Sequence, residues 1–247
     1  MAVGYNPRTV TDGLVLALDA GNPKNYNASI STNWTDKGGG NTGTLVNGTY
    51  HNDGPFVGAG YVEFDGTGDY LTAGSASDWT FLNDGSTFTA ECWFYSQSTS
   101  QQTLLNTAST QSAVGFTVNL SDTSTGDIAV AIYKGTSGAL KATSTGTLWN
   151  TNTWNHVAVV YSSSTLTIYL NGVSVATADG SSFAFNGSNP SFTLAIGSYQ
   201  LATPGGYVNR YISNVRLVNG TALYTTNFIP PTNPLPTLTK PTPPNRI

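Results

Sequence analysis

The chain has 247 residues, with 13 acidic and 9 basic side chains and a formal charge of −4; only 9% of its residues are charged. Typical soluble domains carry about a quarter, so Ser, Thr, Asn and Gly must supply the solubility here, and those residues favour turns and solvated strand faces over helix interiors. The basic residues are scattered singly, which leaves no footprint for a phosphate backbone and argues against nucleic acid, and no apolar run approaches the roughly 20 residues of a membrane-spanning helix.

Hydrophobic residues at 38% and aromatics at 11% are enough to offset chain entropy, against disorder. The start, Met1-Ala-Val-Gly-Tyr-Asn-Pro-Arg, has no charged segment followed by an apolar stretch, so no secretory signal is expected. Cys92 is the single cysteine. It sits in an apolar run and reads as a small buried hydrophobe, and no disulfide can form within the chain. Polar strands with neither an export signal nor a disulfide suggest a protein made in a cytoplasm and released as part of a larger particle.

In chain order, residues 1–11 are an irregular polar lead. Leu14–Asp19 is the first apolar strand, closed by Asp19-Ala-Gly-Asn-Pro-Lys. Residues 27–55 read as a long loop with Trp34 as an anchor and a short strand near Thr44–Val46. Tyr61–Asp65 and Tyr70–Ala73 flank Asp65-Gly-Thr-Gly-Asp69 as a hairpin. Trp79–Leu82 is read as one helical turn. Thr87–Tyr95 carries aromatics on both faces, which predicts a central strand covered on both sides.

Gln102–Asn106, Val114–Leu120, Asp127–Tyr133 and the weaker Leu140–Thr143 continue the pattern. The stretch 154–176 is the clearest. Val157, Val159 and Tyr161 share one face and Trp154, His156, Ala158 and Val160 the other; Leu166, Ile168 and Leu170 then alternate with Thr165, Thr167 and Tyr169. Asn171-Gly172 supplies the positive-φ pair of a tight reverse turn, returning the chain as Val173–Ala176. Phe192–Ile196 and Tyr207–Val218 complete the strands, and Thr221–Tyr224 reads as a turn or helical stub.

The tail 229–247 holds seven prolines in 19 residues. Proline fixes φ and removes a donor, so an extended, semi-rigid arm is expected there. The chain thus divides into a lead at 1–11, one domain at 12–229 and an arm at 230–247. The 12 to 14 strands expected, with no convincing helix, predict an all-β protein of two antiparallel sheets packed face to face.

Several segments carry a family resemblance. They are W-x-H-V-A-V-V-Y at 154–161, L-T-I-Y-L-N-G-V at 166–173, I-G at 196–197, I-S-N-V-R-L-V-N-G-T-A-L-Y at 212–224 and F-I-P-P-T at 228–232. The opening G-L-V-L-A-L-D-A-G-N-P at 13–23 and F-D-G-T-G-D-Y-L at 64–71 fit as well. Together these resemble the laminin G-like, concanavalin A-like lectin/glucanase domains, over about residues 12–233. The resemblance is closest to versions in virion proteins of tailed phages, marine cyanophages above all. It implies a jelly-roll sandwich on a virion surface, as a head decoration, fibre or tail-associated subunit, with other virion proteins as partners through the termini and host-surface glycans as a further partner. The alternative is a free-standing carbohydrate-binding module or bacterial surface lectin, since one fold hosts many sites.

Each site has a sharp reading and a bland one. Glycoside hydrolysis needs two carboxyl groups about 5 to 10 Å apart across a cleft, and enzymatic relatives carry an E-x-D-x-x-E type motif. The two glutamates, Glu63 and Glu91, do not form it, so no catalytic residues are expected. His156 is read as a core imidazole bonded to a neighbouring loop, and His51 as a loop residue without partners. One cysteine and two distant histidines do not make a zinc site. Calcium is the metal candidate, because laminin G-like relatives hold it at a sheet rim: Asp19, Asn22, Asp65 and Asp69 lie beside turns where oxygens converge. The alternative is that they bond their own backbone. For a glycan the candidates are the rings Trp79, Trp149, Tyr199 and Tyr207, the last two bracketing one loop, against the alternative that the tryptophans fill the core.

Overall fold

The structure, a computed structural model, describes residues 12–21, 33–36, 40–51, 53–56, 58–122, 124–146, 149–199 and 205–232. The lead 1–11, Asn22 and the arm beyond Thr232 lie outside the described residues. Within them the chain forms β1 (Leu14–Leu18), β2 (Asn33–Trp34), β3 (Gly43–Val46), β4 (Thr49–His51), β5 (Tyr61–Asp65) and β6 (Tyr70–Ala73). A 3-10 helix, Ala76–Leu82, precedes β7 (Phe88–Ser96), β8 (Gln102–Asn106), β9 (Val114–Leu120), β10 (Ile128–Lys134) and β11 (Ala139–Thr143). The last five are β12 (Trp154–Ser162), β13 (Thr165–Leu170), β14 (Val173–Asp179), β15 (Leu194–Ile196) and β16 (Asn209–Asn219).

All pairings are antiparallel. The first sheet runs β14-β13-β12-β7-β16-β5-β4, with β1 also paired to β16; the second runs β11-β10-β9-β8-β15-β6-β3-β2. The expected sandwich is therefore the observed one. Two short strands, β2 and β4, fall where a loop was expected; each has too few residues for alternation to show.

Period-two patterning places the core. On β7, Phe88, Ala90, Cys92 and Phe94 point inward; on β12, Val157, Val159 and Tyr161; on β9, Phe116, Val118 and Leu120; on β10, Ile128, Val130 and Ile132. These interleave between the sheets, each buried apolar Å² contributing roughly 25 cal/mol. The β12–β13 and β13–β14 turns use positive φ at Ser163 and Ser164, and at Asn171 and Gly172, the backbone twist a two-residue hairpin requires. Cys92 is fully buried; burial, then the nearby Glu91 carboxylate, push its thiol up. We expect no reaction with a thiol reagent in the native protein and one equivalent after denaturation.

Part of the outer face of the first sheet is covered by the chain itself, as the two-faced aromatic pattern of 87–95 predicts. Residues 221–232 cross it as a strap. Tyr224 and Phe228 stack at 3.5 Å, and Phe228 meets Tyr169 at 5.4 Å and His156 at 5.8 Å. Gly172 lets the strap close down: Phe228 N–H donates to its carbonyl at 2.9 Å, and a Cβ there would lie 1.9 Å from the Phe228 carbonyl oxygen.

Under the strap lies a buried charge cluster. Glu91, 2% exposed, accepts hydrogen bonds from the Tyr224 hydroxyl at 2.8 Å and from Arg216, and its Oε2 lies 3.1 Å from His156 Nε2. His156 is thus bonded to a neighbouring strand, where a loop partner was expected. His51 likewise has a partner, Glu63 Oε2 at 2.8 Å, and stands on β4, not in a loop.

Candidate functional site

The outer face of the second sheet carries a cleft of about 270 Å³. The same alternation that sends Phe116, Val118 and Ile132 inward sends Thr117, Asn119 and Tyr133 outward, beside Thr103 of β8. Ala131 next to Tyr133 is small and lines a smaller hollow beside this one. Ala108, Thr110, Gln111 and Tyr199 line the cleft as well.

The floor is a hydrogen-bonded set. The Thr103 and Thr117 hydroxyls both donate to Asn119 Oδ1, at 2.8 and 3.0 Å, and Asn119 Nδ2 donates to Asp122 Oδ1 at 3.3 Å. With their protons committed to Asn119, the two hydroxyls keep lone pairs to accept from a ligand. Asn106 is fixed by donating to the Ala108 carbonyl at 2.8 Å. Tyr133 is pushed up to about 12 by burial, then by Asp122, so its hydroxyl stays a neutral donor across the physiological range. Lys141 Nζ stands 5.8 Å from the Tyr133 ring. The smaller hollow shares Tyr133 and Asn119 with the cleft and is lined further by Asp122, Ala129, Lys141 and Thr143.

Tyr199 is set by its loop. It exchanges backbone hydrogen bonds with Gly205 at 3.0 and 3.3 Å. Gly206 has φ +56°, and a Cβ there would lie 2.5 Å from the Tyr199 ring; the ring lies against bare backbone. Tyr207 does not line the cleft but stands close to Tyr199 and Tyr70, its hydroxyl pushed up by burial and those two neighbours.

The two tryptophans are corrections. Trp79 is fully buried and Trp149 is 2% exposed, both within the core. Each has its indole N–H satisfied by a carbonyl, Ala73 at 3.0 Å and Asp127 at 3.3 Å. A ring so placed offers no face to a sugar. Of the calcium set, Asp65 and Asp69 meet in their hairpin, but Asp65 Oδ1 accepts from Thr67 N–H at 2.6 Å and Asp69 Oδ2 from Asp65 N–H at 2.9 Å. Burial, then Asp65 and Glu63, raise Asp69, against that backbone bond. Asp19 is buried at the end of β1, with Oδ1 accepting from Gly21 N–H at 2.9 Å. Among the described residues no three acidic, histidine or cysteine side chains gather as a metal set.

Sequence reading missed Thr103, Asn106, Thr117, Asn119 and Tyr133. The signal present was V-G-F-T-V-N-L facing I-A-V-A-I-Y: polar outward positions on one strand opposite alanines on the next.

The fold and this surface define a lectin-like β-sandwich, and the comparisons agree with that. A model of the concanavalin A-like lectin/glucanases superfamily, of laminin G type, matches residues 65–224. The chain belongs to that superfamily. No curated protein matches it in sequence. Among solved structures it is similar to domain 4 of an extracellular arabinanase from Geobacillus stearothermophilus, in complex with arabinotriose: 14% identity, TM-score 0.60, covering 84% of this chain and 92% of that one. It is similar to the botulinum neurotoxin serotype D binding domain, with 14% identity and TM-score 0.60 over 84% of this chain. It also resembles a structure of botulinum neurotoxin type C, a toxin whose cell entry depends upon interaction with two ganglioside molecules, at 11% identity and TM-score 0.51 over 85% of this chain. The chain spans about half the length of these neurotoxin chains, 48% in each case. At such identities the likeness is one of fold.

Proposed function

We propose that this protein is a non-catalytic glycan-binding module and that the cleft bounded by Thr103, Thr117, Asn119, Tyr133 and Tyr199 takes a short segment of an oligosaccharide. The observation that carries the reading is the makeup of this cleft: amides and hydroxyls on a rigid floor, with aromatic rings beside them. Sugars present hydroxyls in both donor and acceptor roles and apolar C–H faces, and a few fixed polar groups with rings are what such a ligand needs. At about 270 Å³ the cleft is near the lower end of small-molecule pockets, which run from about 300 Å³. The arabinotriose bound by the similar arabinanase domain and the gangliosides of the neurotoxin support a carbohydrate ligand. A non-catalytic role is supported by where the glutamates are: Glu91 lies under the strap on the opposite sheet, and Glu63 is tied to Arg210 at 2.9 Å and to His51.

A glycan array run with and without calcium tests this. We expect hits on neutral oligosaccharides, with affinity reduced at least about tenfold by Tyr133→Ala or Asn119→Ala, as for loss of one or two ligand hydrogen bonds in a desolvated site. An array blank under both conditions would sink the reading.

The setting we infer is a virion surface of a tailed phage, with the sandwich as a rigid display unit that aids attachment to host glycans. It is supported by the resemblance of the segment 212–232, from β16 through the strap, to phage virion proteins and by the low charge. Absence of the chain from the mass spectrum of purified virions would remove this setting and leave the glycan site standing.

A further inference from the structure

We propose that the aromatic row Trp154–Tyr95–Tyr211, on the outer face of the first sheet, is the seat of a polyproline II strand supplied by residues 233–236 of this chain's own arm. The surface lies on the sheet opposite the cleft and does not depend on the glycan reading.

The row follows from register. Tyr95 of β7 pairs with Trp154 of β12 on one side and Tyr211 of β16 on the other, so all three rings leave the same face. They form a contiguous surface: Tyr95 to Trp154 is 5.8 Å, Tyr95 to Tyr211 5.1 Å, and Trp154 to Tyr211 5.9 Å. Tyr61 extends it, 4.3 Å from Tyr211. Trp154, Tyr95 and Tyr211 each keep part of their surface open, unlike the outward residues of the same strands beneath the strap, Thr89, Glu91 and His156.

The path of the strap identifies the occupant. It climbs β7 along outward positions in order. The Thr89 hydroxyl donates to the Thr221 carbonyl and accepts from Leu223 N–H, both at 3.0 Å; Glu91 takes the Tyr224 hydroxyl at 2.8 Å; Trp93 Nε1 donates to the Pro231 carbonyl at 3.2 Å. The next outward position on β7 is Tyr95. Two strand residues advance roughly 6.7 Å, and a polyproline II strand rises roughly 3.1 Å per residue. Two residues past Pro231 would therefore be enough to reach Tyr95, and the sequence that follows Thr232 is Asn233-Pro-Leu-Pro236. A proline-rich strand has few N–H donors for a sheet edge, and aromatic-lined surfaces are what such strands dock upon.

The test uses the full chain. A nitroxide is attached at Leu238→Cys; Cys92, buried and raised, does not take the label. Nuclear magnetic resonance then reads the indole N–H of Trp154. We expect that signal to be lost in a dilute labelled sample and restored by the pair Pro234→Gly and Pro236→Gly. A Trp154 signal untouched by the label overturns the proposal. Loss seen only when labelled chains are mixed with isotopically enriched unlabelled ones also overturns it, because the row then takes the arm of a second copy. Loss that survives both proline substitutions overturns the polyproline II assignment.

Discussion

Glu91→Gln is expected to lower the unfolding free energy by about 3–5 kcal/mol, the cost of removing one partner from a buried ion pair. The reason lies in what surrounds that carboxylate. Burial alone would raise Glu91; the Arg216 guanidinium, the His156 hydrogen bond and the Tyr224 hydroxyl outweigh it and hold the group down to about 2. Without the anion, Arg216 keeps its charge with only 14% of its side chain in water, and the Tyr224 hydroxyl loses its acceptor. Glu63→Gln is the control. Its pair with Arg210 is 28% and 37% exposed, and a pair so hydrated contributes about 1 kcal/mol or less. Urea midpoints of the two variants at neutral pH check the contrast.

The same cluster sets a pH dependence. A group whose folded value lies below its ordinary one stabilises the fold above the ordinary value and stops doing so as pH falls towards the folded value. For Glu91 the window runs from about 4.5 down to about 2, and the loss is on the order of 3 kcal/mol. Glu91→Gln should flatten the acid limb of stability against pH. An equally steep limb in that variant would assign the effect elsewhere.

Trp79→Ala is expected to cost about 3–5 kcal/mol, the range for truncating a large buried ring, out of a total that for domains is typically about 5–15 kcal/mol. The ring sits on the 3-10 helix, fully buried, with its N–H held by the Ala73 carbonyl. The readout is a large fall in melting temperature with glycan affinity, measured well below it, unchanged. Tyr133→Ala should lower glycan affinity and also cost stability, because its ring, 5% exposed, packs with Ala108 and Ala131 beside the cleft. If Trp79→Ala instead abolished glycan binding in a folded protein, the assignment of that ring to the core would fail.

The sheets were legible because alternation is dictated by the strand itself. The run 154–176 shows its two faces in sequence, and the positive-φ pair at Asn171-Gly172 turns the chain back as β14 against β13. The cleft was not legible for the same reason. Thr117 and Asn119 occupy outward positions where any solvated strand would place polar residues, and only the pairing of β8, β9 and β10 shows that they converge. Trp79 and Trp149 looked accessible because they stand between strands. A buried indole N–H usually finds a partner, and for Trp149 that partner is a carbonyl 22 residues away. The Glu91 cluster joins residues 65, 125 and 133 positions apart, beyond any local pattern.

The strap and the cleft lie back to back, on the outer faces of two sheets that sandwiches hold roughly 10 Å apart. A carrier that gripped this module by the strap would leave the cleft facing outward. Copies fixed that way on one carrier would share an orientation, and their individually weak contacts would multiply into avidity of about 10²- to 10⁴-fold over a single contact.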